Sequence, residues 1–176
     1  MGTSETRSDL SSIACVDADA FKQGMRRFAG ACNVIATVGE AGWIGVTATA
    51  VMSVTAEPAR LLVCINRSAF AYNAIAQSGV LSVNVLGADQ EDMAKLFAGM
   101  CPDVAPNDRF QKGSWRQGLT GAPMLETSLV SFDCQVVETI VGSSHDMFLC
   151  SVVGVAAREG SALPLIYFDG KFGSFC

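Results

Sequence analysis

The chain has 176 residues, of which 50% are hydrophobic and only 16% are charged, and its formal net charge at pH 7 is −5. A chain of this length can bury a core without disulfides or metals, and its apolar composition excludes an intrinsically disordered protein. The negative charge gives no general attraction to nucleic acid or to an anionic membrane, so we expect neither as a partner.

Two uncharged stretches, 41–56 and 68–88, do not have the pattern of membrane spans. The longer one contains Asn, Gln, Ser and Gly residues, which is typical of two short elements joined by a turn. Residues 1–15 lack the basic region and apolar stretch of a secretory signal. We therefore expect a cytoplasmic protein whose seven cysteines are reduced thiols. With one histidine and no closely spaced cysteine pair, we expect no metal site.

The start of the chain predicts a flexible arm over residues 1–16, followed by a single domain over residues 17–176. Asp17 is placed to cap a helix that runs to about Arg27. One face of this helix is apolar and consists of Phe21, Met25 and Phe28.

The hydrophobic period then changes to that of β-strands. The predicted strands are 33–38, 43–51, 60–66, 80–86, 129–137, 146–157 and 164–168. Strand 60–66 is an unbroken apolar run, which predicts burial on both faces. A second helix over 69–77 is expected to end at Gly79, and Asp89 to cap a third that ends near Ala98. Residues 99–124 form a long irregular segment.

About seven strands in hairpin order with three short helices predict a mainly β, antiparallel barrel with helical decorations. The order is not βαβα, which disfavours a doubly wound parallel sheet. The sequence also lacks the G-x-G-x-x-G and GxxxxGK[ST] phosphate-binding motifs.

The inventory of catalytic side chains is small. His145 is followed directly by Asp146, and neighbouring strand residues point to opposite faces, so they cannot form a serine-hydrolase triad with a nucleophile. No G-x-S-x-G motif is present, and no carboxylate pair stands out as an acid and base. An enzyme with this inventory would need a cofactor to carry its chemistry.

Two segments have residues suited to binding such a cofactor. VTATAVMSVT (46–55) is uncharged and rich in small hydroxyl residues that could hydrogen-bond a flat ring with polar edges, although β-propensity alone also explains a Thr-rich strand. INRSAFAYN (65–73) places Arg67 and Ser68 at a helix start, which suits a phosphate. Its alternative interpretation is a solvated arginine beside an N-cap serine.

Residues 17 to about 172 resemble the short-chain flavin reductases that supply reduced flavin to two-component monooxygenases. Within that family the motifs are most similar to the reductase components of 4-hydroxyphenylacetate 3-monooxygenase and to the pyrimidine-utilisation flavin reductases. The motifs are FKQGMRRFAGACNVIAT, GVTATAVMSVTAEPARLLVCINRS, LSVNVL, LFAGM, DRF, Trp115, GAPMLETSLVSFDC and LIYFDGKF.

The resemblance implies a split β-barrel that forms a homodimer and binds FMN or FAD at the subunit interface. It also implies hydride transfer from NADH, or NADPH, to that flavin, and release of reduced flavin to a partner monooxygenase. Carried over by position, the residues that line the isoalloxazine ring are Thr47, Ala48, Thr49, Ala50, Ser53 and Val54. Those that hold the flavin phosphate are Asn66, Arg67 and Ser68. Asn84 and Phe97 are expected to border the site, and Phe172 to lie near the ring.

Thr49, or a backbone N–H within residues 47–54, is our hypothesis for the donor that stabilises negative charge near N1 of the flavin. His145 matches the histidine that binds nicotinamide in the family's G-D-H or G-T-H motif. Here, however, the motif reads Gly142-Ser143-Ser144-His145, and Gly173 stands where the family has a final histidine. Three alternatives stay open at this point, namely a non-catalytic flavin carrier, an oxidase of the pyridoxamine-phosphate type and a purely structural barrel.

Overall fold

The computed structural model describes residues 13–175, which form antiparallel sheets surrounded by short helices. Most of the predicted arm, residues 1–12, lies outside the described residues, as does Cys176. Residues 13–16 are exposed and have no regular secondary structure.

The strands are β1 (Gly30–Ala31), β2 (Asn33–Gly39), β3 (Gly42–Ala48), β4 (Val51–Ala56), β5 (Ala59–Asn66), β6 (Val80–Val85), β7 (Trp115–Gln117), β8 (Pro123–Leu125), β9 (Val130–Val141), β10 (His145–Ala157), β11 (Ile166–Phe168) and β12 (Lys171–Gly173). The α-helices are α1 (Ala18–Met25), α2 (Tyr72–Ser78) and α3 (Glu91–Phe97). Two 3₁₀ helices cover Ala88–Gln90 and Pro106–Gln111.

The main sheet has seven strands in the order β3-β2-β6-β9-β10-β5-β4, and all neighbours are antiparallel. Its two edge strands, β3 and β4, are consecutive in the chain and are joined only by Thr49 and Ala50. The three Cα–Cα steps from Ala48 to Val51 span at most about 11 Å. The two edges therefore meet at this end of a curved sheet that stays open along the rest of its seam. The predicted split β-barrel class is confirmed.

The predicted single strand over 43–51 is wrong, because the chain leaves the sheet at Thr49. Val51 N donates to Thr49 O at 2.9 Å, and Cys64 N donates to Ala50 O at 2.9 Å, so the chain turns onto the opposite edge within two residues. The segment has no Gly or Pro that would signal a turn. Its alternation of Thr and Ala continues through the break.

Strand β2 has the burial on both faces that the sequence predicted for 60–66. Ile35 lies in the barrel core, whereas Val34 and Ala36 pack on the opposite side with α3, and all three are fully buried. On β5, by contrast, Leu61 and Leu62 are only half-buried. Both strands lie next to an edge strand, but the outer face of β2 is covered by α3, whereas one face of β5 has little cover in this chain. The prediction of burial on both faces therefore fails for β5.

The three predicted helices exist, and two of the three predicted caps are confirmed. Asp17 Oδ1 accepts from the backbone N–H groups of Asp19 and Ala20 at 2.9 and 2.8 Å. Gly79 ends α2 with φ +66°, a conformation that favours glycine. The apolar face of α1 finds no partner in the described chain, since Phe21 is 60% exposed and α1 buries no residue.

The third cap is a correction. Asp89 lies inside the first 3₁₀ helix, and its carboxylate accepts a hydrogen bond from Arg158 Nη1 at 3.2 Å. The chain is held there by Gln90 instead, whose Oε1 accepts from Gly87 N at 2.9 Å. α3 then begins at Glu91. The prediction of Asp89 as the cap is therefore wrong, because the side chain that accepts from the free backbone N–H of Gly87 is that of Gln90.

The long segment 99–124 covers the polar side of β9. Asp133 is 1% exposed and accepts from Thr120 N at 3.0 Å, and Ser131 is equally buried. The sequence alternates between apolar and polar residues along 129–137, and two of its polar residues, Ser131 and Asp133, face the interior, whereas Gln135 is exposed.

Within residues 13–175 no helix has both the length and the apolar character needed to cross a membrane. The six cysteines in this range are all free thiols.

Candidate functional site

An open cavity, which we call cavity A, lies where β3 passes to β4. Its volume is about 260 Å³, slightly below the range for small-molecule sites, roughly 300–1,000 Å³. It is lined by Val46, Thr47, Ala48, Thr49, Ala50, Cys64, Ile65, Asn66, Ala69 and His145. None of these described lining residues is an acid, a lysine or an arginine. The cavity therefore suits a neutral ring with polar edges rather than a charged group.

The break between β3 and β4 leaves backbone donors at this cavity. The carbonyls of Thr49 and Ala50 accept hydrogen bonds, but neither N–H group has an acceptor among the described residues. The Thr49 side chain is exposed, and its hydroxyl also has no partner in the described chain. Thr47 differs, because its hydroxyl donates to Ala94 O at 2.7 Å and ties β3 to α3. Thr49 and Ala50 thus offer free hydrogen-bond donors to a planar ligand that has acceptor atoms on its edge.

A second cavity of about 210 Å³, cavity B, shares Thr47, Ala48 and Thr49 with cavity A. Its other lining residues are Cys32, Ala98, Met100, Tyr167 and Phe172. The rings of Tyr167 and Phe172 pack edge to face with centroids 5.2 Å apart. Phe172 therefore lines cavity B together with the three residues that cavity B shares with cavity A.

Beside cavity A, Arg67 forms an ion pair with a buried carboxylate. Arg67 Nε and Nη2 donate to Asp146 Oδ1 at 2.9 and 2.7 Å, and Tyr72 Oη donates to Oδ2 at 2.6 Å. The Asp146 side chain is 3% exposed, whereas that of Arg67 is 39% exposed. The hydrogen bonds from Arg67 and then Tyr72 lower the pKa of Asp146 to about 2. The same contact with Asp146 raises the pKa of Arg67 and of Tyr72.

This ion pair also holds the turn between β9 and β10. Asp146 Oδ1 accepts from Gly142 N at 3.1 Å, and Arg67 Nη2 donates to Gly142 O at 2.9 Å. Arg67 N donates to Ser144 O at 3.0 Å. A Cβ at Gly142 would lie 2.2 Å from His145 O, so only glycine fits this turn. His145 follows at the start of β10, exposed, with Nδ1 2.9 Å from Ser144 Oγ.

Sequence reasoning did not identify Asp146 as part of the site. It noted the residue only to reject a triad, and the partner Arg67 is 79 positions away in the chain. The available signal was the position of Asp146 directly after His145 on a predicted strand, because neighbouring strand residues point to opposite faces. It could indicate a buried carboxylate but not its partner.

Most of the predicted site residues are brought together. Those that line cavity A are Thr47, Ala48, Thr49, Ala50, Asn66 and His145. Ser68 lies next to Arg67, and both its N–H and its hydroxyl donate to Asn66 Oδ1 at 2.9 Å. Ser53 and Val54 lie apart, exposed on the edge strand β4, and neither lines cavity A or cavity B.

Asn84 and Phe97 are buried in the interior and line neither cavity. Asn84 Nδ2 donates to Val34 O at 3.0 Å, and its Oδ1 accepts from Leu125 N at 2.8 Å. Its amide therefore links β2, β6 and β8. Phe97 packs in an aromatic cluster, with its ring centroid 5.0 Å from that of Phe110 and 5.6 Å from that of Trp115. Both residues support the strands that line the cavities.

Known proteins resemble the chain over nearly its whole described length. The family model "Flavin reductase like domain" matches residues 25–175. A curated protein of Pseudomonas syringae pv. syringae (strain B728a), named FMN reductase (NADH) RutF, is 41% identical over 172 residues, which cover 98% of this chain and 94% of that protein.

Two solved structures share the fold. The flavin reductase PheA2 in its native state aligns with a TM-score of 0.82 at 30% identity, over 92% of this chain and 99% of that chain. BorF, the flavin reductase component of a bacterial two-component tryptophan halogenase, aligns with a TM-score of 0.80 at 26% identity, over 90% of this chain and 98% of that chain.

Proposed function

The chain belongs to the flavin reductase like domain family, and from this premise we propose that it transfers a hydride from NADH to FMN. The family inferred from the motifs is confirmed, and with it the activity of an NADH-dependent flavin reductase. The choice of FMN over FAD is our proposal, supported by the name of the curated relative at 41% identity. The observation that carries it in this chain is an uncharged cavity with free donors at Thr49 and Ala50, directly beside Arg67.

The residues of cavity A fit a flavin ring. When bound, the flavin supplies the hydride-accepting chemistry, so no protein nucleophile is required. The small side chains of Ala48 and Ala50 permit close approach of the backbone to a flat ligand. The free N–H groups of Thr49 and Ala50, together with the Thr49 hydroxyl, are available to hydrogen-bond its polar edge. Such donors lower the barrier where negative charge develops in the transition state.

The phosphate of FMN is assigned to the loop after β5. Arg67 keeps its Nη1 group without a partner among residues 13–175, and 39% of its side chain is exposed. Asn66 fixes the loop by accepting from the N–H and the hydroxyl of Ser68. To donate to the phosphate, the Ser68 hydroxyl would turn away from Asn66 Oδ1, because it has a single proton. A charge-assisted hydrogen bond from one arginine is strong enough to select FMN over riboflavin. It is also weak enough to let the product leave.

His145 is assigned to the nicotinamide. Its ring lines cavity A next to the loop of Arg67 and Ser68, because His145 pairs with Asn66 across β10 and β5, and it follows a turn held by the Arg67–Asp146 pair. The imidazole is a hydrogen-bond partner for the carboxamide of a nicotinamide placed over the ring. A hydrogen bond from His145 would help to hold the nicotinamide close to the flavin, and such positioning of two reactants lowers the barrier to their reaction.

We further propose that the protein acts as a homodimer with flavin at the interface and passes reduced flavin to a flavin-dependent monooxygenase. The exposed apolar face of α1 and the exposed Val54 on β4 support a second copy, since both lack cover in the single chain. The similarity to the reductase component of a two-component halogenase supports a separate oxygenating partner. We place the activity in the cytoplasm, where free thiols persist.

NADH oxidation in air tests the function. The purified protein is assayed with no flavin, FMN, FAD and riboflavin, each with NADH and with NADPH. We expect turnover that depends on added FMN and NADH, with a lower KM for FMN than for riboflavin. Equal KM values for FMN and riboflavin would contradict the phosphate assignment, and turnover with FAD alone would contradict the choice of FMN.

A further inference from the structure

One buried carboxylate connects two parts of the site that are far apart in the chain. Asp146 accepts four hydrogen bonds, from Arg67 Nε and Nη2, Gly142 N and Tyr72 Oη. The residue before it, His145, lines cavity A. Arg67 directly follows Asn66, which ends the neighbouring strand β5 and lines the same cavity.

We propose that Asp146 is a positioning residue that sets both the Arg67 guanidinium for the FMN phosphate and the 142–144 turn that presents His145 to the nicotinamide. This inference rests on the proposed function. Asp146 itself lines neither cavity A nor cavity B.

The first part of the argument is the geometry of Arg67. A free arginine side chain samples many rotamers, and fixing it on binding costs affinity. Here Nε and Nη2 are both bound to Asp146, and Nη2 also reaches Gly142 O. The guanidinium is therefore held before any ligand arrives, while Nη1 remains free for an anion. Without the Asp146 carboxylate, the only remaining side-chain contact of Arg67 is the one to Gly142 O.

The second part is the turn. Both the N–H and the C=O of Gly142 are bound by the ion pair, and Ser144 O is bound by the Arg67 backbone. His145 is the partner of Asn66 in the β10–β5 register, so the turn and the phosphate loop are joined at adjacent positions. Loss of the carboxylate releases Gly142 N and the guanidinium together, and the His145 ring then loses its fixed place.

The test compares the affinities for FMN and riboflavin, measured by quenching of flavin fluorescence without NADH. The ratio of the two dissociation constants isolates the phosphate, because the ring is the same. We expect Arg67→Met to reduce the preference for FMN about tenfold, as for the loss of a charge-assisted hydrogen bond. Asp146→Asn, which keeps the shape but removes the charge, should reduce it about fivefold.

The double variant Arg67→Met with Asp146→Asn should have the same ratio as Arg67→Met alone, since Asp146 acts through Arg67. Asp146→Asn should also raise the KM for NADH. Added to His145→Ala, it should raise that KM no further.

Asp133→Asn is the matched control. Asp133 is 1% exposed, accepts from Thr120 N at 3.0 Å and lines neither cavity. Its substitution should lower thermal stability and leave the FMN-to-riboflavin ratio unchanged. If Asp146→Asn does not fold, Tyr72→Phe removes a single hydrogen bond from the same carboxylate and should reduce the ratio about twofold.

The outcomes separate the inference from the proposed function. Wild-type protein that neither binds flavin nor oxidises NADH overturns both. Wild-type protein that is active, with an Asp146→Asn variant whose FMN preference is unchanged or increased, overturns the inference alone. An unchanged ratio means that the carboxylate only stabilises the fold, and an increased ratio means that its charge opposes phosphate binding.

Discussion

At the scale of single residues, two threonines two positions apart have different roles in cavity A. Thr47 Oγ1 is bound to Ala94 O, whereas the Thr49 hydroxyl is exposed and has no partner in the described part of the chain. We expect Thr49→Val to weaken FMN binding and lower kcat/KM about fivefold, the effect of one neutral hydrogen bond of about 1 kcal/mol. Fluorescence titration and steady-state kinetics measure both effects.

Thr47→Val provides the control on the same strand. It removes the Thr47 hydrogen bond to Ala94 O, which still accepts from Ala98 N at 3.0 Å, and should cost about 1 kcal/mol of unfolding free energy, while FMN affinity changes little. If Thr49→Val leaves both FMN affinity and turnover unchanged, the Thr49 side chain is not the flavin-edge donor, and the backbone N–H groups remain.

The cysteines offer a second prediction at this scale. Burial raises the pKa of Cys32 to about 11 and that of Cys150 to about 12, which leaves almost no thiolate at neutral pH. We expect a maleimide at pH 7.5 to label exposed Cys15 within minutes and Cys32, Cys134 and Cys150 only after unfolding. Peptide mapping by mass spectrometry reads this out. Rapid labelling of Cys150 in the folded protein would contradict the described core.

At the scale of elements, the β9–β10 turn should govern acid stability. The pKa of Asp146 is about 2 in the folded protein and about 3.9 in an unfolded chain. The unfolded chain therefore takes up the proton first as the pH falls. The stability from this group is complete above about pH 5 and is lost between about pH 4 and pH 2.

We expect Asp146→Asn to be less stable than wild type at pH 6 and to lose less stability between pH 4 and pH 2. Urea unfolding at pH 6, 4, 3 and 2 measures the difference. Parallel pH profiles of the two proteins would show that Asp146 titrates normally and that its ion pair with Arg67 contributes nothing to folding.

The end of α2 supplies a prediction about backbone conformation. Gly79 has φ +66°, and a Cβ there would meet no atom within 4 Å, so the cost of a side chain is conformational only. Gly79→Ala should lower the unfolding free energy by about 1 kcal/mol, and Gly79→Asn by less, because Asn tolerates this conformation better. Equal losses for the two variants in urea unfolding would point to packing instead.

The elements that the sequence predicted depend on local signals. Asp17 and Gly79 are caps whose effect acts within a few residues, and the alternation along β9 needs only its own sequence. The break at Thr49 could not be predicted, because it arises where two sheet edges meet. The ion pair between Arg67 and Asp146 joins residues that only the folded sheet brings together. The motifs were sufficient to locate the Arg67 loop and the 142–144 turn. The role of Asp146 in holding both could not be predicted, because it depends on how β10 and β5 pair.

At the scale of the whole molecule, the exposed apolar surface bears on assembly. Val54 is 49% exposed on β4, next to Ser53, which is assigned to the ring but lines neither cavity in the single chain. We expect light scattering to give a dimer, with twice the chain mass of 18.4 kDa, at micromolar concentration. Val54→Asp places a charge in the proposed interface, so it should both favour the monomer and weaken FMN binding.

Leu119→Asp is the control for the dimer, since Leu119 is 84% exposed and lines neither cavity. It should leave both mass and affinity unchanged. A wild-type monomer that binds FMN with the same affinity would show that one chain forms the complete site. The proposal of flavin at the subunit interface would then be wrong.

The most direct test of the reductase activity is the bleaching of FMN absorbance near 450 nm by NADH without oxygen, with and without the protein. Excess FMN separates repeated turnover from reduction of bound flavin alone. We predict bleaching of many equivalents of FMN, at a rate proportional to protein concentration and lowered in Thr49→Val. FMN that binds, as shown by fluorescence quenching, but is bleached no faster than in buffer would contradict the account and leave a protein that only holds flavin.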